Sequence, residues 1–153
     1  MRREAVEFFL NWVKEASLDV RPSIIMSDHD QAQLAAIQGI YPHSRVFLCT
    51  WHVLRAMRRH FVTDTFKPLW EKIQAWVKTG DAAEFSRIWD DISTDPLVPQ
   101  SVIQYIKTEW LPIPKMWSRV SRQNWHIFEE GDTNMLIEAY VLVQLVSKLS
   151  NCN

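Results

Sequence analysis

Two short β-branched runs with a helix-period segment between them limit this chain more than any other feature. Ser23-Ile24-Ile25-Met26-Ser27 follows Pro22 and ends on Asp28, as a strand buried on both faces would. Asp30 then precedes Leu34, Ile37 and Tyr41 at helical spacing, with Gly39 and Pro42 closing the segment. Arg45-Val46-Phe47-Leu48 is again strand-like and runs into Cys49-Thr50-Trp51-His52. Strand, helix and strand at this spacing make one βαβ unit, so the strands are parallel. Asp28 and the Cys49/His52 pair then lie beyond their carboxyl ends, where open α/β sheets bind ligands.

The flanks are helical. Val6, Phe9, Leu10 and Val13 recur at i, i+3, i+4 and i+7 and predict an amphipathic helix over residues 3 to 17. After His52, Val53, Met57 and Phe61 share one helical face while Arg55, Arg58 and Arg59 gather on another. Phe66, Leu69, Trp70, Ile73, Trp76 and Val77 predict a further helix stopped by Gly80, and Asp81 with Glu84 three residues on predicts the cap of the next. That helix carries Phe85, Ile88, Trp89 and Ile92, and another carries Val102, Ile103, Ile106 and Trp110 up to Pro112 and Pro114. No strand candidate stands between about 64 and 125. Asp132-Thr133-Asn134 caps a last helix bearing Glu138, and the run from Val141 to Val146 is so apolar that it calls for burial.

With 153 residues the chain has one domain's worth of sequence, and eight Trp and seven Phe against three Gly favour compact helical packing. A net charge of −1 excludes a global basic field, so any contact with nucleic acid has to be local. Two cysteines, Cys49 and Cys152, supply no disulfide framework. No apolar run has the length of a membrane span, and the charged amphipathic start is not a signal peptide. A nuclear or cytoplasmic location is the expectation.

Several residues could carry chemistry. A carboxylate at a strand end, as at Asp28, is how hard divalent cations are held; the plainer alternative is that it caps the following helix, a task for which Asp30 is better placed. Cys49-x-x-His52 is half of a tetrahedral zinc site, but Cys152 is distant and His29, His43, His60 and His126 lack ligand spacing, so Zn²⁺ is not expected. Cys49 reads instead as a small buried residue, and His52 as hydrogen-bonded near Asp28. Arg55, Arg58 and Arg59 could touch a DNA backbone at this rim or simply form a solvated helix face. The tryptophans at 70, 76, 89, 110 and 117 lie mostly on apolar stripes and are assigned to the core.

Ser27-Asp28, Ala36-Ile37, Tyr41-Pro42 and Cys49-Thr50-Trp51-His52 resemble the pattern of the Mutator-like element (MULE) transposases. Thr133-Asn134-Met135-Leu136-Ile137-Glu138-Ala139 is similar to the Thr-Asn-Asn-x-x-Glu signature of those enzymes, with Met135 in place of the second Asn, and Trp110-Leu111-Pro112 with Trp117 resembles the segment before it. The resemblance implies an α/β fold, a truncated RNase H-like core with a large all-helical insertion. The core would span residues 1–62, the insertion 63–131 and a returning C-terminal helix 132–153. It further implies phosphoryl transfer on DNA, transposon ends as partner, a homo-oligomer as a compatible assembly, and Mg²⁺ or Mn²⁺ held by carboxylates. Asp28 would be the second carboxylate of that set and Glu138 the third. The first lies in the family on a strand ahead of the opening helix, where no Asp stands here, and residues after Glu138 depart from the family pattern. The expected function is therefore that of a transposase-derived domain that is catalytically incomplete. The alternative is a recruited, non-catalytic module that binds DNA or protein, and an unrelated helical interaction domain stands third.

Overall fold

The computed structural model describes residues 3–16, 21–60 and 67–122. Helix α1 (Arg3–Ala16) is followed by strand β1 (Ile24–Ser27), helix α2 (Gln31–Ile40), strand β2 (Arg45–Leu48) and helix α3 (Thr50–Arg58). Helices α4 (Lys67–Lys78), α5 (Ala82–Thr94), α6 (Gln100–Tyr105) and α7 (Pro114–Trp117) complete the described part, with a π-helical turn at Ile106–Trp110 and a 3₁₀ turn at Arg119–Arg122. The described chain is thus mixed α/β and mostly helical.

β1 and β2 pair in parallel, Ile24 with Arg45 through Ser27 with Leu48. One backbone bond extends the ladder at each end: Arg45 donates to the Ser23 carbonyl and Cys49 to the Ser27 carbonyl, both at 2.9 Å. Of β1 only Ser27 is buried, and Ile24, Ile25 and Met26 are half-buried. The expectation of a strand buried on both faces is corrected here. Among the described residues the sheet has two strands, so nothing pairs along the far side of β1. On β2, by contrast, Phe47 and Leu48 are fully buried.

Asp30 is the N-cap of α2 and accepts the Gln33 amide at 2.9 Å. The helix runs through Gly39, the expected stop, and ends one residue later at Ile40. α1 packs against α2. Its apolar stripe is only partly used: Val6 is buried, whereas Phe9 is 46% exposed, and Phe8 and Trp12 are exposed with it. The helical period placed Phe9 inward with Val6, and the packing turns the helix so that the Phe8/Phe9/Trp12 side faces out.

One core joins β2 and α3 to the helical tract, with Leu48, Val53 and Met57 meeting Leu69, Ile73, Trp76, Val77, Ile88, Ile92, Ile106, Trp110 and Trp117. Its centre is aromatic. Trp76 stacks on Phe85 and Trp89 and meets Trp117 edge-on with centroids 4.8 Å apart, and the Trp117 indole N–H donates to the Trp110 carbonyl at 2.8 Å. Rings of this size each bury a large apolar area in fixed mutual geometry, which suits a core assembled from short helices. Asp81 caps α5 through the Glu84 amide, as its spacing predicted.

The tract returns to the sheet through Arg122, which is 2% exposed. Its Nη1 donates to Thr50 Oγ1 at 3.1 Å, and its Nη2 donates to the carbonyls of Met116, at 3.2 Å, and of Leu48. The guanidinium also lies over the Phe47 ring. A buried cation is tolerated only where several acceptors replace its water.

Two consequences can be measured. Arg122→Ala leaves two carbonyls and a hydroxyl without that donor, and should cost about 3 kcal/mol or more in urea denaturation. Arg122→Lys should recover only a minor part, because an ammonium cannot span the same acceptors; a loss under about 1 kcal/mol in the alanine variant would contradict this role. Separately, burial pushes the Tyr105 phenol above its ordinary value of 10.0, with Glu109 adding to the rise and the Trp110 indole and Arg59 opposing it. The folded state then holds the phenolic proton more tightly than the unfolded chain does. That stability is present below pH 10.0 and is lost as the pH rises through the folded value. Thermal melts above pH 10 should fall less steeply in Tyr105→Phe than in the parent chain, and identical slopes would remove the assignment.

Candidate functional site at the carboxyl ends of the strands

The site begins with the register. Because Ser27 pairs with Leu48 and Cys49 donates to the Ser27 carbonyl, both strands end at the same level, and Asp28 and Cys49 leave the sheet side by side. Cys49 is fully buried, and its carbonyl accepts the Val53 amide, which starts α3 directly off the strand. His52 falls in the first turn of α3 and leans back across the rim. Its Nδ1 stands 2.7 Å from Asp28 Oδ1.

Both of those atoms are shut off from solvent, and neither reaches hydrogen-bond geometry with any partner. The contact is therefore a close one set off the line of a straight hydrogen bond. The two side chains are otherwise part-open, His52 25% and Asp28 36% exposed. Asp28 does not cap α2, since Asp30 does. That observation removes the plainest alternative role for Asp28. Ser27 Oγ lies 3.0 Å from Gln33 Oε1 and 3.1 Å from the Asp28 carbonyl, bracing the turn from beneath.

A second contact holds the same turn from the helical tract. The His29 ring lies 4.9 Å from Trp110, the last residue of the π-helical turn, and Trp110 in turn meets Tyr105 and Trp117. A π turn widens the backbone by one residue, and such turns recur where a helix must present a side chain out of register. Nothing in the 3.6-residue period signals one, so the sequence placed Trp110 in the core without revealing its neighbour His29. Arg122 was missed as well. Two of its acceptors, on Thr50 and Leu48, are more than seventy residues away in the chain.

Arg55 and Arg58 on α3 and Arg59 at its C-cap are all exposed. Arg55 lies over the Trp51 ring at 4.9 Å and Arg58 lies 6.0 Å from Trp70. No ion pair with a carboxylate involves any of the three among the described residues. Glu138, Cys152 and His126 lie outside the described residues. Trp76, Trp110 and Trp117 are fully buried, while Trp70 and Trp89 are half-buried at the edge of the core.

An aspartate oxygen is the donor type that Mg²⁺ or Mn²⁺ prefers. Among the described residues, however, no three His, Cys, Asp or Glu side chains gather, and Asp28 Oδ1 already faces His52. The described residues do not by themselves make the ligand set of such an ion. What they do make is a close carboxylate and imidazole pair at the strand-end rim. An open cleft of about 420 Å³, lined by Lys14, Arg21, Ser23, Tyr41, His43 and Ser44, lies at the opposite end of the strands and touches none of these groups.

The contact can be tested by a double-mutant cycle. His52→Ala strands a buried carboxylate oxygen and should cost about 1–3 kcal/mol. Asp28→Ala in the His52→Ala background should then cost less than it does alone, with a coupling of at least about 0.5 kcal/mol. Strict additivity would mean that the two groups do not interact in solution.

Residues 3–56, from α1 into α3, match the family model described as MULE transposase domain. No curated protein and no solved structure matches the chain. The matched stretch contains the whole βαβ unit, Asp28, Cys49, His52 and Arg55. Over residues 3–56, about a third of its length, the chain is thus similar to the MULE transposase domain family, and the similarity lies in the segment that builds the rim.

Proposed function

We propose that the chain is a transposase-derived domain whose α3 face binds DNA beside Asp28, and that it does not cleave DNA as it stands. The observation that supports this reading most directly is the row of exposed arginines, Arg55, Arg58 and Arg59, free of carboxylate partners among the described residues and starting at the strand-end rim. Phosphate backbones are held by cations of this kind, in local patches where the net charge is not basic. The βαβ unit is in this reading a portion of an RNase H-like core, and residues 63–131 its helical insertion. DNA as ligand favours the nucleus. No helix of the described residues is long and apolar enough to cross a membrane.

Divalent metal enters the proposal only as ancestry. Asp28 and Glu138 are the residues that would ligate Mg²⁺ or Mn²⁺, which when bound activates a nucleophile for phosphodiester cleavage. The Asp28 oxygen turned toward His52 supports a rim maintained by protein contacts and not by a cation.

The purified chain should bind duplex DNA without added metal, with log K falling against log salt at a slope of roughly −2 to −3, set by two or three phosphate contacts. Replacing Arg55, Arg58 and Arg59 together by Ala should abolish that binding, and Asp28→Ala should leave it intact. Incubation with Mg²⁺ or Mn²⁺ should produce no nicks. Nicking that disappears in both Asp28→Ala and Glu138→Ala would show an active enzyme instead.

A further inference from the structure

One exposed tryptophan stands at the rim. Trp51 is 42% exposed although it sits in the first turn of a helix whose inner residues, Val53 and Met57, are buried. Its ring is fixed on two sides. The edge meets His52 in a T-shaped contact with centroids 4.7 Å apart, and the Arg55 guanidinium lies over the face at 4.9 Å. Because His52 touches Asp28, the indole stands one side chain away from the strand-end carboxylate. Along α3 the order is Trp51, Arg55, Arg58, spaced i, i+4 and i+7, so the three line one exposed face.

We infer that Trp51 is a base-stacking residue and that this face takes single-stranded DNA, an inference that rests on the DNA-binding reading above. A preoriented indole offers a π surface to a base, Arg55 extends that surface by a planar cation, and Arg58 supplies a phosphate contact one turn on. In a duplex the base faces are already stacked on one another. Only an unpaired or extruded base can use the indole, so the aromatic adds affinity for single strands alone, while the arginines serve both forms.

The test uses the full 153-residue chain, metal-free, with a fluorescently labelled oligothymidylate and a duplex of equal length, read by anisotropy. Trp51→Ala should weaken single-strand binding roughly ten- to hundredfold and change duplex binding less than about twofold, with Trp51→Phe retaining most of the single-strand affinity. The salt slope should be unchanged in Trp51→Ala and reduced by about one in Arg55→Ala. In the unmutated chain, a 2-aminopurine in the bound strand should lose fluorescence on stacking, a readout that needs no variant to fold. Equal effects of Trp51→Ala on both DNA forms, no effect on either, or an unquenched 2-aminopurine would each overturn the stacking role while leaving DNA binding in place. A chain that binds neither form would overturn both readings.

Discussion

The parallel register of β1 and β2 is the constraint on which the rest depends. Side chains alternate faces along a strand, so slipping the pairing by one residue would send Phe47 to the opposite side of the sheet and lift Cys49 away from Ser27. Asp28 and His52 would then leave at different levels and could not lie 2.7 Å apart. A two-stranded sheet is marginal by itself. Its register must therefore be held by what packs on it.

Two features do so, both from the far half of the chain. Trp117 and the rest of the aromatic cluster bury Leu48 and close over the end of β2. Arg122 then ties the Leu48 carbonyl to Thr50, so a single guanidinium spans the last residue of the strand and the first of α3. These act differently. The rings contribute bulk burial that tolerates small shifts, whereas the guanidinium has few acceptors in fixed directions and fails if the strand end moves. Division of labour of this sort lets a two-stranded βαβ unit share the stability of the helical body.

Much of this was legible in the residues. The bounds of β2 follow from one β-branched and aromatic run between Ser44 and Cys49, and Asp30 and Asp81 announced their helices through short-range capping chemistry. The nearness of Asp28 and His52 followed from parallel strands ending together, with His52 four residues beyond the second. What escaped depended on long-range packing. The outward turn of Phe8, Phe9 and Trp12 is set by how α1 lies on α2, the partial exposure of β1 by the number of strands beside it among the described residues, and the contact between Trp110 and His29 joins distant parts of the chain. Arg122 looked like any other arginine, because burial of a cation is decided by distant acceptors and leaves no local pattern. Glu138, the other proposed carboxylate, falls outside the described residues.

The same division bears on the proposed reading, in which a DNA-binding face is kept without catalysis. Core formation uses Trp76, Trp110 and Trp117, none of which reaches the surface, and Arg122, which is spent inside. Trp51, Arg55 and Arg58 contribute little to that core, and their cost to stability is correspondingly small. Asp28 Oδ1 faces His52 Nδ1 at 2.7 Å, so the rim is built from contacts within the protein. On the proposed reading, a domain arranged in this way would lose a metal ligand without unfolding and still present its exposed arginines and indole to DNA. Selection on binding and selection on cleavage would then act on separate side chains of one small rim.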